Sequence, residues 1–198
     1  MVCGDQQKTN ISLSDTFAPV SRITSLRILL ALATIKNLQI FARDVDSAYL
    51  HGKLDHNIYI KFPDGYEKPG KVGRLNKALY GLPEAAQVWR EDLEEKLRTM
   101  GLTPLSSDTG VFMKKTERGL IAIDTHVNDA TGICSSKREE RELKASIYKF
   151  YKIKEKDTTK PFKVLGIAYN KRHKPRDPQA FTIRIHRLLA AEIQYGRV

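Results

Sequence analysis

Apolar residues recur along this chain with two different periods. Ile23, Leu26, Leu30 and Ala33 return at helical spacing, which predicts a helix from Ser21 to Lys36 with Ser21 as its N-cap. Leu38-Gln39-Ile40-Phe41-Ala42 alternates instead, as a strand does, and would deliver Asp44 at its C-terminal end. His51 to Asn57 predicts a loop, and Ile58-Tyr59-Ile60-Lys61-Phe62 a second strand stopped by Pro63-Asp64-Gly65. Lys68 to Gly73 is a turn-rich connector. The apolar stretch Leu75 to Leu82 then leads into a helix predicted from Pro83 to Met100. Proline suits its first position, Trp89, Leu93 and Leu97 repeat at four-residue spacing, and Gly101 stops it.

A β-hairpin is predicted from about Gly110 through Cys134. Two apolar runs, Gly119 to Ile123 and Thr131 to Cys134, bracket His126-Val127-Asn128-Asp129, which reads as the tip. Ser135 to Tyr151 predicts an amphipathic helix rich in Lys, Arg and Glu on its exposed face. Phe162 to Tyr169 and Phe181 to Ile185 predict a final strand pair around a Lys/Arg/Pro connector. The first fifteen residues are polar, with little periodicity, and predict an extended segment. No internal repeat, low-complexity tract or long linker divides the chain. The pattern implies one α+β domain over residues 1–198, an antiparallel sheet with helices on one face.

Length changes little: 198 residues are ample for one core. The longest apolar stretch, Ile28 to Ala33, is far too short to span a bilayer, and the N-terminus lacks the apolar core of a signal peptide. A cytosolic or nuclear setting is expected. Cys3 and Cys134 form no metal-spaced pair, and His51, His56, His126, His173 and His186 show no ligand spacing, which argues against structural zinc. Charge says more. The excess of 34 Lys+Arg over 23 Asp+Glu, a net +11, favours a polyanionic partner, nucleic acid first. Such attraction is to phosphate, carries no sequence readout and weakens with salt.

The specific signal is a series of short motifs in order. Thr16-Phe17-Ala18-Pro19-Val20 is followed by Arg22 and by Asp44-Val45-Asp46-Ser47-Ala48-Tyr49. Then come Tyr59-Ile60, Phe62-Pro63-Asp64-Gly65-Tyr66, Leu75-Asn76-Lys77-Ala78-Leu79-Tyr80-Gly81-Leu82 and Val164-Leu165-Gly166-Ile167. Across almost the whole chain this series resembles the reverse transcriptase domain of copia-type LTR retrotransposons. The resemblance implies RNA- or DNA-templated DNA synthesis on a right-hand polymerase palm with part of the fingers, the thumb missing. Its partners would be an RNA/DNA template-primer, a deoxynucleoside triphosphate and other parts of a polyprotein.

The resemblance also implies two magnesium ions held by palm carboxylates, hard oxygen ligands that leave room for phosphate. By position Asp44 is the first ligand, with the Val45 carbonyl beside it. Asp129 matches the second aspartate of the aromatic, any residue, Asp, Asp motif, and Asn128 occupies the place of the first. His126 stands where the family's aromatic contacts the primer end. Tyr49 matches the residue under the incoming sugar, Glu84 a glutamine near the nucleotide, and Pro83 a commonly basic residue before it. Val164-Leu165-Gly166 resembles the hairpin that grips the primer.

Blander readings stand beside these. Asn-Asp at a hairpin tip is also what turn chemistry prefers, since both tolerate left-handed backbone angles. Asp44 at a strand end equally begins a loop, Tyr49 suits a core, and Trp89, Leu93 and Leu97 read as core packing. His126 suits a partly exposed strand. The helix from Ser135 to Tyr151 reads as a solvated face, its Glu139, Glu140 and Glu142 opposing a phosphate track.

Three departures from the family pattern point to a degenerate copy. An amide at Asn128 keeps the shape of a carboxylate but removes a negative charge, and loss of one electrostatic group costs roughly 10²–10³ in rate. Asp46 is placed by strand alternation to face the same side as Asp44. Glu84 adds a negative charge where triphosphate would arrive. A basic run that family members carry before the segment matching Val2 to Gln7 precedes this chain's start, and the chain stops soon after the palm's last strands. A polyprotein fragment or decayed insertion is expected. Of an active polymerase, a degenerate palm still binding nucleic acid, and an unrelated basic module, the pattern favours the second, with synthesis weak or absent.

Overall fold

The protein is seen in a computed structural model that describes Gly4, Gln7, residues 16–117 and residues 119–169. In chain order the elements are α1 (Ile23–Ile35), β1 (Gln39–Val45), a 3-10 turn (Ala48–His51), β2 (Tyr59–Ile60) and β3 (Gly73–Arg74). There follow α2 (Ala85–Thr99), β4 (Thr103–Pro104), β5 (Val111–Thr116), β6 (Gly119–His126) and β7 (Asp129–Cys134). The described chain closes with α3 (Lys137–Ile147), β8 (Ile153–Lys156), β9 (Phe162–Val164) and β10 (Ile167–Tyr169).

One six-stranded sheet, ordered β4-β5-β6-β7-β1-β8 with antiparallel pairings, organises the α+β architecture. Within it, β1-α2-β6-β7-α3-β8 follows the split βαβ plan, which inserts the first strand between the third and the fourth. Strand alternation divides the sheet into two faces. Phe41, Val45, Ile121, Ile123 and Cys134 face α2 and α3, packing on Trp89, Leu97, Leu143 and Ile147. Ile40, Ala122 and Ile133 face the other way, onto Leu26, Leu30 and Ala33 of α1 and Val164 of β9. Each buried leucine stabilises this sandwich by about 1.5–3 kcal/mol. The expectation of helices on one face therefore needs correcting. Each side of the main sheet is apolar, and α1 covers the side that α2 and α3 leave open.

Local expectations moved for tertiary reasons. Ser21 is not the N-cap: α1 begins after Arg22, and the Ser21 hydroxyl donates to buried Asp124 at 2.8 Å. The helix end is satisfied from a distance instead, by Asp108, whose Oδ2 accepts from the Arg22 N–H at 2.9 Å. Ile23 drifts off the buried stripe and is 38% exposed. α2 starts two residues after Pro83, behind Glu84, and Gly101 ends it at φ +80°. The single hairpin expected from Gly110 to Cys134 is a three-stranded meander, with β6 shared between β5 and β7.

Two further corrections concern strands. Phe162 to Tyr169 folds on itself as the β9–β10 hairpin, because Leu165 (φ +45°) and Gly166 (φ +78°) form a two-residue turn. Phe181 to Ile185 lies outside the described residues, as does nearly all of the first fifteen. The strand at Ile58 to Phe62 shortens to β2, which among the described residues pairs only with β3, in a ribbon apart from the main sheet. α3 is capped at Ser136, whose Oγ accepts from the Glu139 N–H at 3.2 Å. Among the described residues no helix is long and apolar enough to cross a membrane.

Candidate active site

Asp44 and Asp129 are direct cross-strand partners, the last pair of the β1–β7 register. Opposed residues on neighbouring strands point to the same face, so the two carboxylates sit side by side on the α1 face. Like charges so placed repel, and each is compensated from within the chain. Asp44 Oδ2 accepts from the Asn128 side-chain amide at 2.8 Å, and Asp129 Oδ1 accepts from Lys156 Nζ at 2.5 Å. Lys154 stands opposite Asp44 across β1–β8 and reaches Asp46 Oδ1 at 2.6 Å, with Lys152 at 3.9 Å from the other oxygen. The Lys154 hydrogen bond holds the Asp46 carboxyl below its ordinary value.

The tip itself is strained. His126 pairs with Asp129, which leaves Val127 and Asn128 as a two-residue loop. Val127, not Asn128, takes the left-handed angle, at φ +54°. A β-branched side chain is among the least suited to that region, so the tip is not explained by turn preference. Two bonds hold it in place: Trp89 Nε1 donates to the Val127 carbonyl, and the Val45 N–H to the Asn128 carbonyl, both at 2.8 Å. The Asn128 side chain is thereby left free to serve Asp44.

Around this centre the expected residues separate. Tyr49, in the 3-10 turn after Ser47 (φ +55°), is half-buried against Tyr80, ring centroids 4.7 Å apart. Burial, and then Tyr80, push its phenol up. It shares a small cavity with Trp89 and Val127, so fold and tip bring it beside the hairpin. His126 is half-buried at the strand end, its Nδ1 enclosed without a hydrogen-bond partner. Val164 is buried under α1 on the same face as Asp44, with Leu165 and Gly166 turning beside it.

Glu84 has different company. It is 4% exposed at the start of α2, where Oε1 accepts from Gln7 Nε2 at 3.0 Å and lies 3.4 Å from His56 Nε2. Its other oxygen is buried without a partner. Cys134 is buried, and burial first, then Glu140 and Glu139, push its thiol up to about 12, where it is no nucleophile.

Sequence patterns missed two contributors. Apolar periodicity does not predict β8, although Lys152, Lys154 and Lys156 alternate as an edge strand's charged residues do. The four-residue spacing of Trp89 predicts packing alone, yet a buried indole N–H needs an acceptor, and here that acceptor is the Val127 carbonyl at the tip.

A divalent cation would meet two carboxylates here, one occupied by an ammonium and the other by an amide N–H. Among the described residues no group of three or more Asp, Glu, His or Cys is arranged to hold a metal ion. Two divalent cations close together need several converging anions to offset their repulsion, and this donor set does not fit a magnesium pair.

Comparison with known proteins places this chain in a family. The reverse transcriptase (RNA-dependent DNA polymerase) family matches residues 1–179. The retrovirus-related Pol polyprotein from transposon TNT 1-94 of Nicotiana tabacum is 33% identical over 159 residues, 78% of this chain and 12% of the relative. The corresponding polyprotein from transposon RE2 of Arabidopsis thaliana is 35% identical over 129 residues, 64% of this chain and 9% of the relative. A putative transposon Ty5-1 protein of Saccharomyces cerevisiae is 31% identical over 127 residues, 63% of this chain and 41% of the relative. The chain thus spans about a tenth of the length of the plant polyproteins it matches. With the motif series, the Asp44–Asp129 register and a match over most of its length, the chain belongs to the reverse transcriptase (RNA-dependent DNA polymerase) family, as the domain carried in retrotransposon Pol polyproteins.

Proposed function

We propose that this chain is the palm of a copia-type reverse transcriptase with part of its fingers, that it binds RNA or DNA template-primer, and that its own templated synthesis is weak or absent. The observation that carries this reading is the side-by-side placement of Asp44 and Asp129 at a hairpin tip where Asn128 stands in place of a further carboxylate. The β2–β3 ribbon, separate from the main sheet, is the finger portion. By the resemblance, Asp44, the Val45 carbonyl and Asp129 stand at the positions implied to hold magnesium. Tyr49 lies under the incoming sugar, Glu84 behind the nucleotide site, and His126 with Val164-Leu165-Gly166 against the primer. The net charge of +11 supports a phosphate partner, in a cytosolic or nuclear setting, and other segments of a polyprotein complete the assembly.

Primer extension on RNA and DNA templates, with magnesium or manganese, tests the chemistry. No product above background is expected, and extension abolished by Asp44→Asn would overturn the claim of weak synthesis. Fluorescence anisotropy with a labelled template-primer tests the binding. The slope of log affinity against log salt should approach about −0.9 per phosphate contacted on a duplex. Absent or salt-independent binding would leave the family assignment standing and remove the nucleic-acid role.

A further inference from the structure

We propose that the Asn128 amide and the Lys156 ammonium stand in for divalent cations at the Asp44–Asp129 pair, so that this tip keeps its shape without metal and takes up neither magnesium nor manganese at millimolar concentration. Carboxylates opposed on adjacent strands repel, and a positive or hydrogen-bonding partner on each offsets that. At Asp44 that group is the Asn128 amide nitrogen, 2.8 Å from Oδ2. A carboxylate only accepts, so an amide oxygen turned toward it would add repulsion, and the nitrogen must face it. At Asp129 the group is Lys156 Nζ, 2.5 Å away.

The compensation extends along the strand. Lys154 and Lys156 are two residues apart on β8, which puts both ammonium groups on the face that carries Asp44 and Asp129. Lys154, and at longer range Lys152, meet Asp46. Asp44, Asp46 and Asp129 thus face Lys152, Lys154 and Lys156, a cluster of balanced charge that attracts no further cation. A metal ion arriving here must expel an ammonium from Asp129 and reverse the Asn128 amide. It would gain only two carboxylates and the neutral oxygens of Asn128 and Val45, and magnesium dehydrates reluctantly for so few anions. Read this way, Asn128 is more than a lost ligand: its N–H supplies a bond that an aspartate cannot make.

Manganese titration of the full chain followed by electron paramagnetic resonance, with melting curves in magnesium, manganese or chelator, tests this directly and without polymerase activity. The wild-type chain should show no saturable manganese binding and no rise in Tm. Asn128→Asp should melt lower in chelator and recover with manganese, and Asn128→Asp with Lys156→Met should bind manganese most tightly. A metal at about a hundred times its Kd raises the Tm of a chain this size by roughly 5–10 °C. Saturable binding by the wild-type chain with a rise of that size would overturn the proposal, as would an Asn128→Asp chain that melts in chelator like the wild type. If Asn128→Asp does not fold, the wild-type titration decides alone: saturation overturns the proposal and its absence upholds it. Neither result depends on whether nucleic acid binds.

Discussion

The indole N–H of Trp89 donates to the carbonyl oxygen of Val127 at 2.8 Å, tying the first turns of α2 to the hairpin tip that carries Asn128. Trp89 is 2% exposed, with its ring edge-on to Tyr151 at 5.2 Å, so one side chain both fills the core and fixes the site. Trp89→Phe keeps most of the packing and leaves the Val127 carbonyl without that donor. A loss of about 1–3 kcal/mol is expected from urea unfolding. Faster amide exchange at residues 126–130 should accompany it, and exchange unchanged from wild type would count against the tie.

Val127 at φ +54° is a site of stored strain. Val127 as a residue is 37% exposed, so removing its side chain sacrifices only part of a core residue's burial. A left-handed residue with a Cβ costs about 1–2 kcal/mol, only partly returned as chain entropy when glycine replaces it. Val127→Gly is therefore expected to raise stability by about 1 kcal/mol in chemical denaturation. A lower midpoint would mean that the valine's contacts outweigh its backbone strain.

Asp124 titrates inside the fold. Burial pushes its carboxyl up to about 6, against the opposing Ser21 hydrogen bond and with a smaller push from Asp108. The folded state therefore holds a proton more tightly than the unfolded chain, whose aspartates titrate near about 3.9. The stabilising contribution is complete below the unfolded value and is lost as pH rises through about 6. A shift of roughly two units is worth at most about 3 kcal/mol. Asp124→Asn should be more stable than wild type at neutral pH and lose the difference near pH 4, as melting curves across that range would record. Asp108 works in the opposite sense at lower pH. Burial pushes it up, but bonds from Ser25, Arg22 and Gly110 outweigh this and hold it below its ordinary value.

Gly132 lies in β7 opposite Phe41 and Ile123. A Cβ there would fall 2.2 Å from Phe41 Cζ and 2.7 Å from the Ala122 carbonyl oxygen. The phenylalanine is 3% exposed and the Ala122 carbonyl is fixed in the sheet, so Gly132→Ala should destabilise by about 2–3 kcal/mol through overpacking. The denaturation midpoint should fall with the m-value unchanged. A neutral result would show that the core beneath β7 is loose.

Much of this molecule was legible as pattern. Helical spacing marked α1 and α2, amphipathicity and charge marked α3, alternation marked β1, and two apolar runs marked β6 and β7 around a tip read as His126 to Asp129. The ordered motifs identified the family, because each is a run of neighbours along the chain. Less legible was β8, whose lysines carry too little apolar content to register as a strand, and the β9–β10 turn, which depends on Leu165 taking a left-handed angle that leucine ordinarily avoids.

Periodicity and short motifs thus marked most of the elements and singled out Asp44 and Asp129, since both are written in neighbouring residues. Tertiary structure alone decided how those carboxylates are held. Asn128 meets Asp44 across 84 positions of sequence and Lys156 meets Asp129 across 27, and nothing local encodes either partner. The register of β1 between β7 and β8 chose them. Because a one-residue slip would turn these side chains to the opposite face, the burial of Ile40 and Ile133 beneath α1 is what aligns Asp44, Asp129 and Lys156 at the tip.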